Sequence, residues 1–261
     1  MVKENVTGKS VFFDRLGLQT MTQLTSRHAD TMQQDTPHSR RMATLAPYTV
    51  ADLIDDPDQI RTLIDPTNAY AKAQANAIGR TQDDIIIAAA LGTAATGETG
   101  SGTQTLPSGQ KVDVQLGGGG SDDYLNLDKV LRAKRLLDAA EVRKDNRFLI
   151  YDAIQMEALL ALEKVTSSDY NAIRALVRGE LETWIGFKWI HSERLTTDSS
   201  SNTQCIAFQG DGMGLGIGRL RETRITEEST KNYATQVWSY LDMGAVRIED
   251  ECVVEIACKP T

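Results

Sequence analysis

The glycine run Gly212-Met-Gly-Leu-Gly-Ile-Gly218 is the first place in the chain to look for chemistry, because side-chain-free backbone amides can cradle a phosphate. A dinucleotide fingerprint needs a strand before the glycines, a helix starting at them, and an acidic residue about 20 positions later. Here the following RLRETRITEE reads as extended or turn, so the helix N-terminus that would hold a pyrophosphate is missing. Glycines in a strand also mark close backbone approach or a bulge, and that is the reading adopted. The histidines are His28, His38 and His191, with no His-x-x-x-His and no carboxylate-flanked pair, so a zinc site is not expected. Cys252 and Cys258 are six apart in one predicted strand and would face the same side about 20 Å from each other, too far for a shared metal. With Cys205 they read as small buried hydrophobes. There is no Gly-x-Ser-x-Gly elbow. The adjacent carboxylates Asp55-Asp56 and Asp83-Asp84 point apart on a strand or helix and make no shared acid/base site. Arg40-Arg41 is too small for a nucleic-acid patch; it reads either as a solvated pair or as a partner for a carboxylate on a neighbouring chain. No catalytic constellation and no cofactor follow from these residues.

The elements around them are clearer. Lys9 to Leu16 and Met42 to Ile54 read as extended, the second with Pro47 as an edge-strand mark. Residues 19–41 between them are too polar to bury a core and show no helical or strand period. A loop of that length inside a compact domain is suspect unless another chain orders it. A hairpin from Lys9 to Ala51 could extend up to roughly 70 Å at about 3.3 Å per residue, against a radius of gyration of about 18 Å for a compact chain of this length. An isolated strand pair is marginal in water, so the arm is expected to lie on a neighbour. Pro66 to Leu91 predicts a helix, capped by Asp65 and closed by Gly92, with Tyr70, Ala73, Ala77, Ile78, Thr81, Ile85 and Ala88 on one face. At 1.5 Å per residue it is a rod of roughly 39 Å.

Leu106 to Val114 reads as a turn entering a short strand, and Gly117 to Gly120 as a flexible link. Beyond it, helices are predicted at Leu127–Ala140 (apolar face Val130, Leu131, Leu137, Ala140), Ile154–Leu162 and Asp169–Val177, the last capped by Ser168 and ended by Gly179. Strands are predicted at Arg147–Tyr151, Phe187–His191, Cys205–Phe208, Arg221–Ile225, Tyr233–Leu241 and Ala245–Cys258, with Thr196–Thr203 as a loop tip.

The 261 residues suit one large or two small domains. Apolar residues are 41% and charged residues 25%, which excludes a disordered chain, a collagen or a disulfide scaffold. Twenty-eight basic against 36 acidic residues give a net charge of −8, which removes any general attraction for nucleic acid. The longest near-continuous apolar run, Ile85 to Leu91, is far short of the about 20 residues a bilayer span needs. The N-terminus has no apolar signal region, the odd cysteine count suits a reducing cytosol, and the Asn5-Val6-Thr7 sequon is not expected to be glycosylated. A soluble acidic body with a projecting arm and a bracing helix suits self-assembly better than catalysis.

These segments carry a resemblance. TGKSVFFDR at 7–15, SRHADT at 26–31, DTPHSRR at 35–41, YTVADLID at 48–55, IDPTNAYAKAQANAIGR at 64–80, DDIIIAAALGTAATGE at 83–98, TSSDYNAIRALVRGE at 166–180, GFKWI at 186–190, NYATQVWSYLDMGAVRIED at 232–250 and VVEIAC at 253–258 are similar, in order and over nearly the whole chain, to tailed-phage major capsid proteins. The resemblance implies an α+β fold of the Hong Kong 97 type. It divides the chain into a residual N-terminal arm at 1–5, an extended-loop hairpin at 6–54 lying over the adjacent subunit, a peripheral domain at 55–121 with a spine helix at 66–91, an axial domain at 122–218 whose tips meet at five- and six-fold centres, and terminal strands at 219–261 returning to the peripheral domain. It implies a homo-oligomer of pentamers and hexamers, assembled in the host bacterial cytoplasm with a scaffolding protein and a portal. The resulting icosahedral shell encloses double-stranded DNA without sequence-specific contact. Candidate inter-subunit contacts are Arg27, His28, Asp35, His38, Arg40 and Arg41. Relatives usually carry an arm of some tens of residues before the TGKS segment, where this sequence has Met1 to Val6. Rival readings are a nanocompartment shell of the same fold around a cargo enzyme, a nucleotide-binding enzyme using Gly212–Gly218, and a monomeric binding module with a disordered arm.

Overall fold

The structure, a computed structural model, describes residues 1–17, 19–27, 30–31, 33–54, 66–161 and 183–260. The predicted cap at Asp65, the pair Asp55-Asp56, His28 and the helix at 169–177 lie outside them. The strands are β1 (Val2–Lys3), β2 (Ser10–Leu16), β3 (His38–Thr44), β4 (Ala46–Ile54), β5 (Ala94–Thr96), β6 (Gly102–Gln104), β7 (Lys111–Val112), β8 (Arg147–Tyr151), β9 (Thr183–Trp184), β10 (Phe187–His191), β11 (Thr203–Gln209), β12 (Met213–Glu228), β13 (Ala234–Arg247) and β14 (Val253–Cys258). The helices are α1 (Pro66–Leu91), α2 (Leu127–Ala139) and α3 (Ala153–Ala161). The strands form three sheets with orders β1-β12-β13-β4, β7-β14-β11-β8-β10-β9 and β2-β3-β5-β6.

Helix α1 ties the sheets together. Its middle puts Ile78 on Ile217, Leu241 and Met243 of the β12–β13 pair. Its last turns put Ile87 and Ala90 on Ile150, Ile206 and Val253 of the six-stranded sheet. The opposite face of that sheet packs on α2 through Val130, Ala133 and Leu137. Because α1 crosses two surfaces, its buried positions do not follow one face. Gln74 is buried, bonding the Val237 carbonyl at 2.9 Å and the Ser239 hydroxyl at 2.8 Å, while Tyr70, Ala73 and Ala88 are exposed. Gly92 closes the helix as expected; a Cβ there would meet the Ala88 carbonyl oxygen at 2.6 Å. In α2, Leu131 is exposed and Lys129 is buried instead, its ammonium bonded to the Asp123 and Ala257 carbonyls at 2.6 and 2.9 Å. Burial pushes the Lys129 pKa down. Asn126 caps α2 by accepting from the Lys129 amide at 2.9 Å.

Several expected boundaries move. The extended segment 42–54 divides at Leu45: β3 pairs with β2, and β4 pairs with β13 and ends its sheet, as Pro47 suggested. The hairpin is therefore β2–β3 alone. Its strand begins at His38, inside the stretch that shows no strand period. The stem is not coreless either, since Val11, Phe13, Ala43 and Leu45 are buried against Ala94, Val246 and Ile248 of the same chain. The predicted break between Leu241 and Ala245 is absent. Gly244 keeps β13 continuous and lets the chain pass closely, a Cβ there meeting the Thr44 carbonyl oxygen at 2.2 Å. The true break is the short 3-10 turn Asp250–Cys252, so Cys252 and Cys258 do not share a strand. Residues 2–3 are not a free arm but pair in parallel with β12. The last strand, β14, joins the six-stranded sheet between β7 and β11 rather than staying with β12 and β13.

The glycine run resolves as strand β12, with no helix at its end. Alternate residues of a strand share a face, and that face is a floor for the hairpin stem. A Cβ on Gly214 would meet the Phe13 ring at 2.9 Å, one on Gly216 would meet Val11 at 2.4 Å, and one on Gly218 would meet Leu45 at 2.9 Å. Gly216→Ala is therefore expected to lower the thermal midpoint by an overpacking cost of about 1–3 kcal/mol. Gly79→Ala, inside α1 with nothing within 4 Å of the new methyl, is expected to raise it by about 0.5–1 kcal/mol. Calorimetry of the two variants checks both signs.

Candidate assembly surface

The hairpin grows from a fixed base to an uncommitted tip. Its ladder runs from Ser10↔Thr44 to Leu16↔His38, and the Gly17 amide closes it on the Pro37 carbonyl at 2.8 Å. Beyond Gly17 the two sides are joined by side chains. Gln19 donates to the Thr36 hydroxyl at 2.8 Å, and Gln34 bonds both the amide and the hydroxyl of Thr20. Leu16, Met21 and Leu24 stand in solvent, 64%, 102% and 73% exposed. Of the candidate contact residues, Arg27 and Asp35 are exposed in this tip and His38 is exposed at the start of β3.

The two arginines separate. Arg40 finds its carboxylate in its own chain, Asp14 at 2.7 Å across the ladder, and lies over the Phe12 ring at 5.4 Å. The hydrogen bond from Arg40 holds the Asp14 carboxyl below its ordinary pKa. Arg41 corrects the expectation of a neighbour-facing pair. Its side chain is buried, donating to Asp250 Oδ2 at 3.0 Å and to the Ile248 carbonyl at 3.2 Å. The physical reason is strand alternation: β3 turns Arg40 to solvent and Arg41 onto the body. Burial pushes the Arg41 pKa down against the pull of Asp250, and a guanidinium stays charged there.

Asp250 is shared. Its other oxygen takes Arg247 Nε at 2.6 Å. Arg247 is fully buried and donates to the Ala90 and Gly92 carbonyls at 2.8 and 2.7 Å and to the Gln104 carbonyl at 3.1 Å. One carboxylate thus joins the hairpin stem, the end of β13, the C-terminus of α1 and β6. A cation suits the last carbonyls of a helix. Arg15 fastens the other strand of the stem, to Glu251 at 2.8 Å. Sequence reasoning passed over Arg247 and Asp250. Their only signal is an arginine between Val246 and Ile248 in an apolar strand, with an aspartate three residues on. Elsewhere on α1, Asp84 is gripped by Nε and Nη2 of Arg194, which holds its carboxyl below the usual range.

Among the described residues, no group of three or more His, Cys, Asp or Glu could hold a metal. His191 is exposed and paired with Glu193 at 2.8 Å, and all three cysteines are buried thiols. No described helix is long and apolar enough to cross a membrane. The sequence matches the phage capsid protein family over residues 1–260. The chain belongs to that family. Among solved structures, the capsid of cyanophage P-SCSP1u is similar at 17% identity and a TM-score of 0.73, covering 100% of this chain and 86% of that one. The capsid of Ralstonia phage GP4 is similar at 12% identity and a TM-score of 0.74, covering 100% and 87%. Mycobacterium phage Che8 is similar at 17% identity and a TM-score of 0.62, covering 96% and 85%. No curated protein matches the sequence. The expected α+β capsid fold is the one found, and the protein is a major capsid protein, a structural component of a virion shell.

The buried pair is expected to govern folding and the exposed pair is not. Arg41→Ala and Arg247→Met each break a buried, hydrogen-bonded charge pair and should cost about 3–5 kcal/mol. Arg40→Ala should leave the urea midpoint unchanged, since Asp14 is solvated once released. Urea titration followed by tryptophan fluorescence orders the three variants.

Proposed function

We propose that this capsid protein builds the icosahedral shell of a tailed phage around its double-stranded DNA, from pentamers and hexamers assembled in the host cytoplasm with a scaffolding protein and a portal. The observation that carries the reading is a family match along the whole chain together with a hairpin tip in which none of the described residues is buried. In this reading α1, β12, β13 and β4 are the peripheral domain, with α1 as its spine. The six-stranded sheet with α2 and α3 is the axial domain, and it includes β14. The hairpin tip, with Arg27, Asp35 and His38, lies over the adjacent subunit; Arg40 reaches it only by sharing or leaving Asp14. DNA is enclosed and not gripped, as suits a net charge of −8, because tight phosphate contacts would oppose packaging and release. The family match favours neither a nanocompartment shell nor a nucleotide-binding enzyme, and β12 lacks the helix that the enzyme reading needs.

Electron microscopy of the purified protein should show closed shells or capsomer rings; a monomer at every salt and protein concentration would refute the reading. Replacing residues 20–36 with a Gly-Asn turn should then separate folding from assembly. Loop shortening changes closure entropy by only about 0.6 kcal/mol per halving, and the stem keeps its own core, so the thermal midpoint should hold while normal shells are lost. Unfolding of the body, or normal shells from the shortened chain, would each contradict the role given to the tip.

A further inference from the structure

The β12–β13–β4 sheet has two long edges, and they are defended differently. The β12 edge beyond Ile217, with no ladder partner among the described residues, carries Arg219, Glu222, Arg224, Glu227 and Glu228. Charges of this kind are how sheets prevent unwanted strand addition. The β4 edge, Ala-Pro-Tyr-Thr-Val-Ala-Asp-Leu-Ile, has one charge, and Gln74 bonds that Asp52 at 3.1 Å. Alternate residues of β4 turn their amides and carbonyls away from β13 with no ladder partner among the described residues, Pro47 having no amide to give, beside exposed Tyr48 and Leu53.

The chain also holds a segment with no partner in a sheet among the described residues. Residues 19–25, Gln-Thr-Met-Thr-Gln-Leu-Thr, carry no charge and no proline, and they make no backbone ladder. Their own β4 is out of reach. β13 runs alongside β4 from Ile54 to Ala46, then passes Thr44 at Gly244 and Arg41 at Ile248, so β3 and β4 lie along one line with the tip at the far end. From Pro37 to Ala51 that line is roughly 46 Å, whereas residue 25, tethered at Gly17, reaches at most about 26 Å at 3.3 Å per residue.

We propose that residues 19–25 of one copy add as a strand to the β4 edge of a second copy. The inference rests on the shell-building reading and deepens it by naming the bonds and the acceptor. The apolar side chains fit such a pairing. Tyr48 and Leu53 are five apart and so project from opposite faces of the sheet, and Met21 and Leu24, three apart, do the same. An antiparallel pairing with Met21 opposite Leu53 sets Leu24 opposite Val50, on the Tyr48 face. Tip of one copy to edge of the next is a head-to-tail contact, the kind that generates a ring when its rotation closes. Backbone hydrogen bonds supply the attraction and the side-chain parity supplies the register.

The full-length chain tests this with paired cysteines, Met21→Cys with Leu53→Cys and, for a two-residue slip, Met21→Cys with Ala51→Cys. Under mild oxidation of assembled protein, at least one pair is expected to give a ladder of linked chains on non-reducing gels. The wild type, whose cysteines are buried, and the control Met21→Cys with Thr226→Cys on the charged β12 edge should give none. In parallel, Thr49→Lys with Ala51→Lys places charges on the open edge at solvent-facing positions; the thermal midpoint should hold and closed shells should be lost. Absence of a ladder from both pairs, a ladder as strong in the control, or normal shells from the double-lysine variant overturns the inference. If the wild type builds shells and the cysteine pairs stay unlinked, strand addition alone fails; if the wild type builds none, the function itself does.

Discussion

The fold depends on one buried carboxylate. Asp250 sits between Arg41 and Arg247, and through them it meets the hairpin stem, the end of β13, the last carbonyls of α1 and the edge strand β6. Two guanidiniums on one carboxylate leave an excess positive charge in a dry place, and a row of main-chain carbonyls receives it. Hydrophobic contact alone would let these elements slide. The fixed fork of a guanidinium does not, because every nitrogen of Arg247, and Nε and Nη2 of Arg41, has a carbonyl or a carboxylate assigned to it. The residues making this junction are spread from position 41 to position 250, so it forms only once the chain has closed on itself.

Around that junction the glycines of β12 do a second job. Removing side chains from every other position gives the stem a floor flat enough for Phe13, Val11 and Leu45 to lie on. The arginines set where the hairpin is attached, and the glycines set how closely it lies. A mobile arm would be a poor means of addressing a neighbour. This one is rigid up to Gly17 and gives up its ladder only beyond it.

Much of this was legible from residue patterns. The span of α1, the strands at Arg147–Tyr151 and Phe187–His191, and the absence of core-forming residues in the hairpin tip follow from spacing and composition. The extended reading of RLRETRITEE after Gly212–Gly218 is met by β12, which runs on to Glu228. What could not be read were the choices between partners. Leu45 looks like any residue in an extended run, yet it is where the chain leaves one sheet for another. Gly244 reads as a break because nothing local says that Thr44 passes over it. Arg40 and Arg41 are identical in type, and only the phase of β3 against the body decides which is buried. The acceptor proposed for Met21 and Leu24 is invisible for a further reason: the proposal places it on a second molecule.

The continuity of β13 carries a mechanical consequence. One 14-residue strand backs β4 along most of its length and reaches the base of the hairpin with the rest. It acts as a beam held at one end by the Arg247 clamp. A load applied at the hairpin tip is delivered to the clamp, and a load on the β12–β13 turn is delivered to the same point from the opposite direction. Subunits placed at different curvatures would therefore differ least at the clamp and most at the two free ends. A shell made of such beams can vary its bend from place to place while every subunit keeps the same interior.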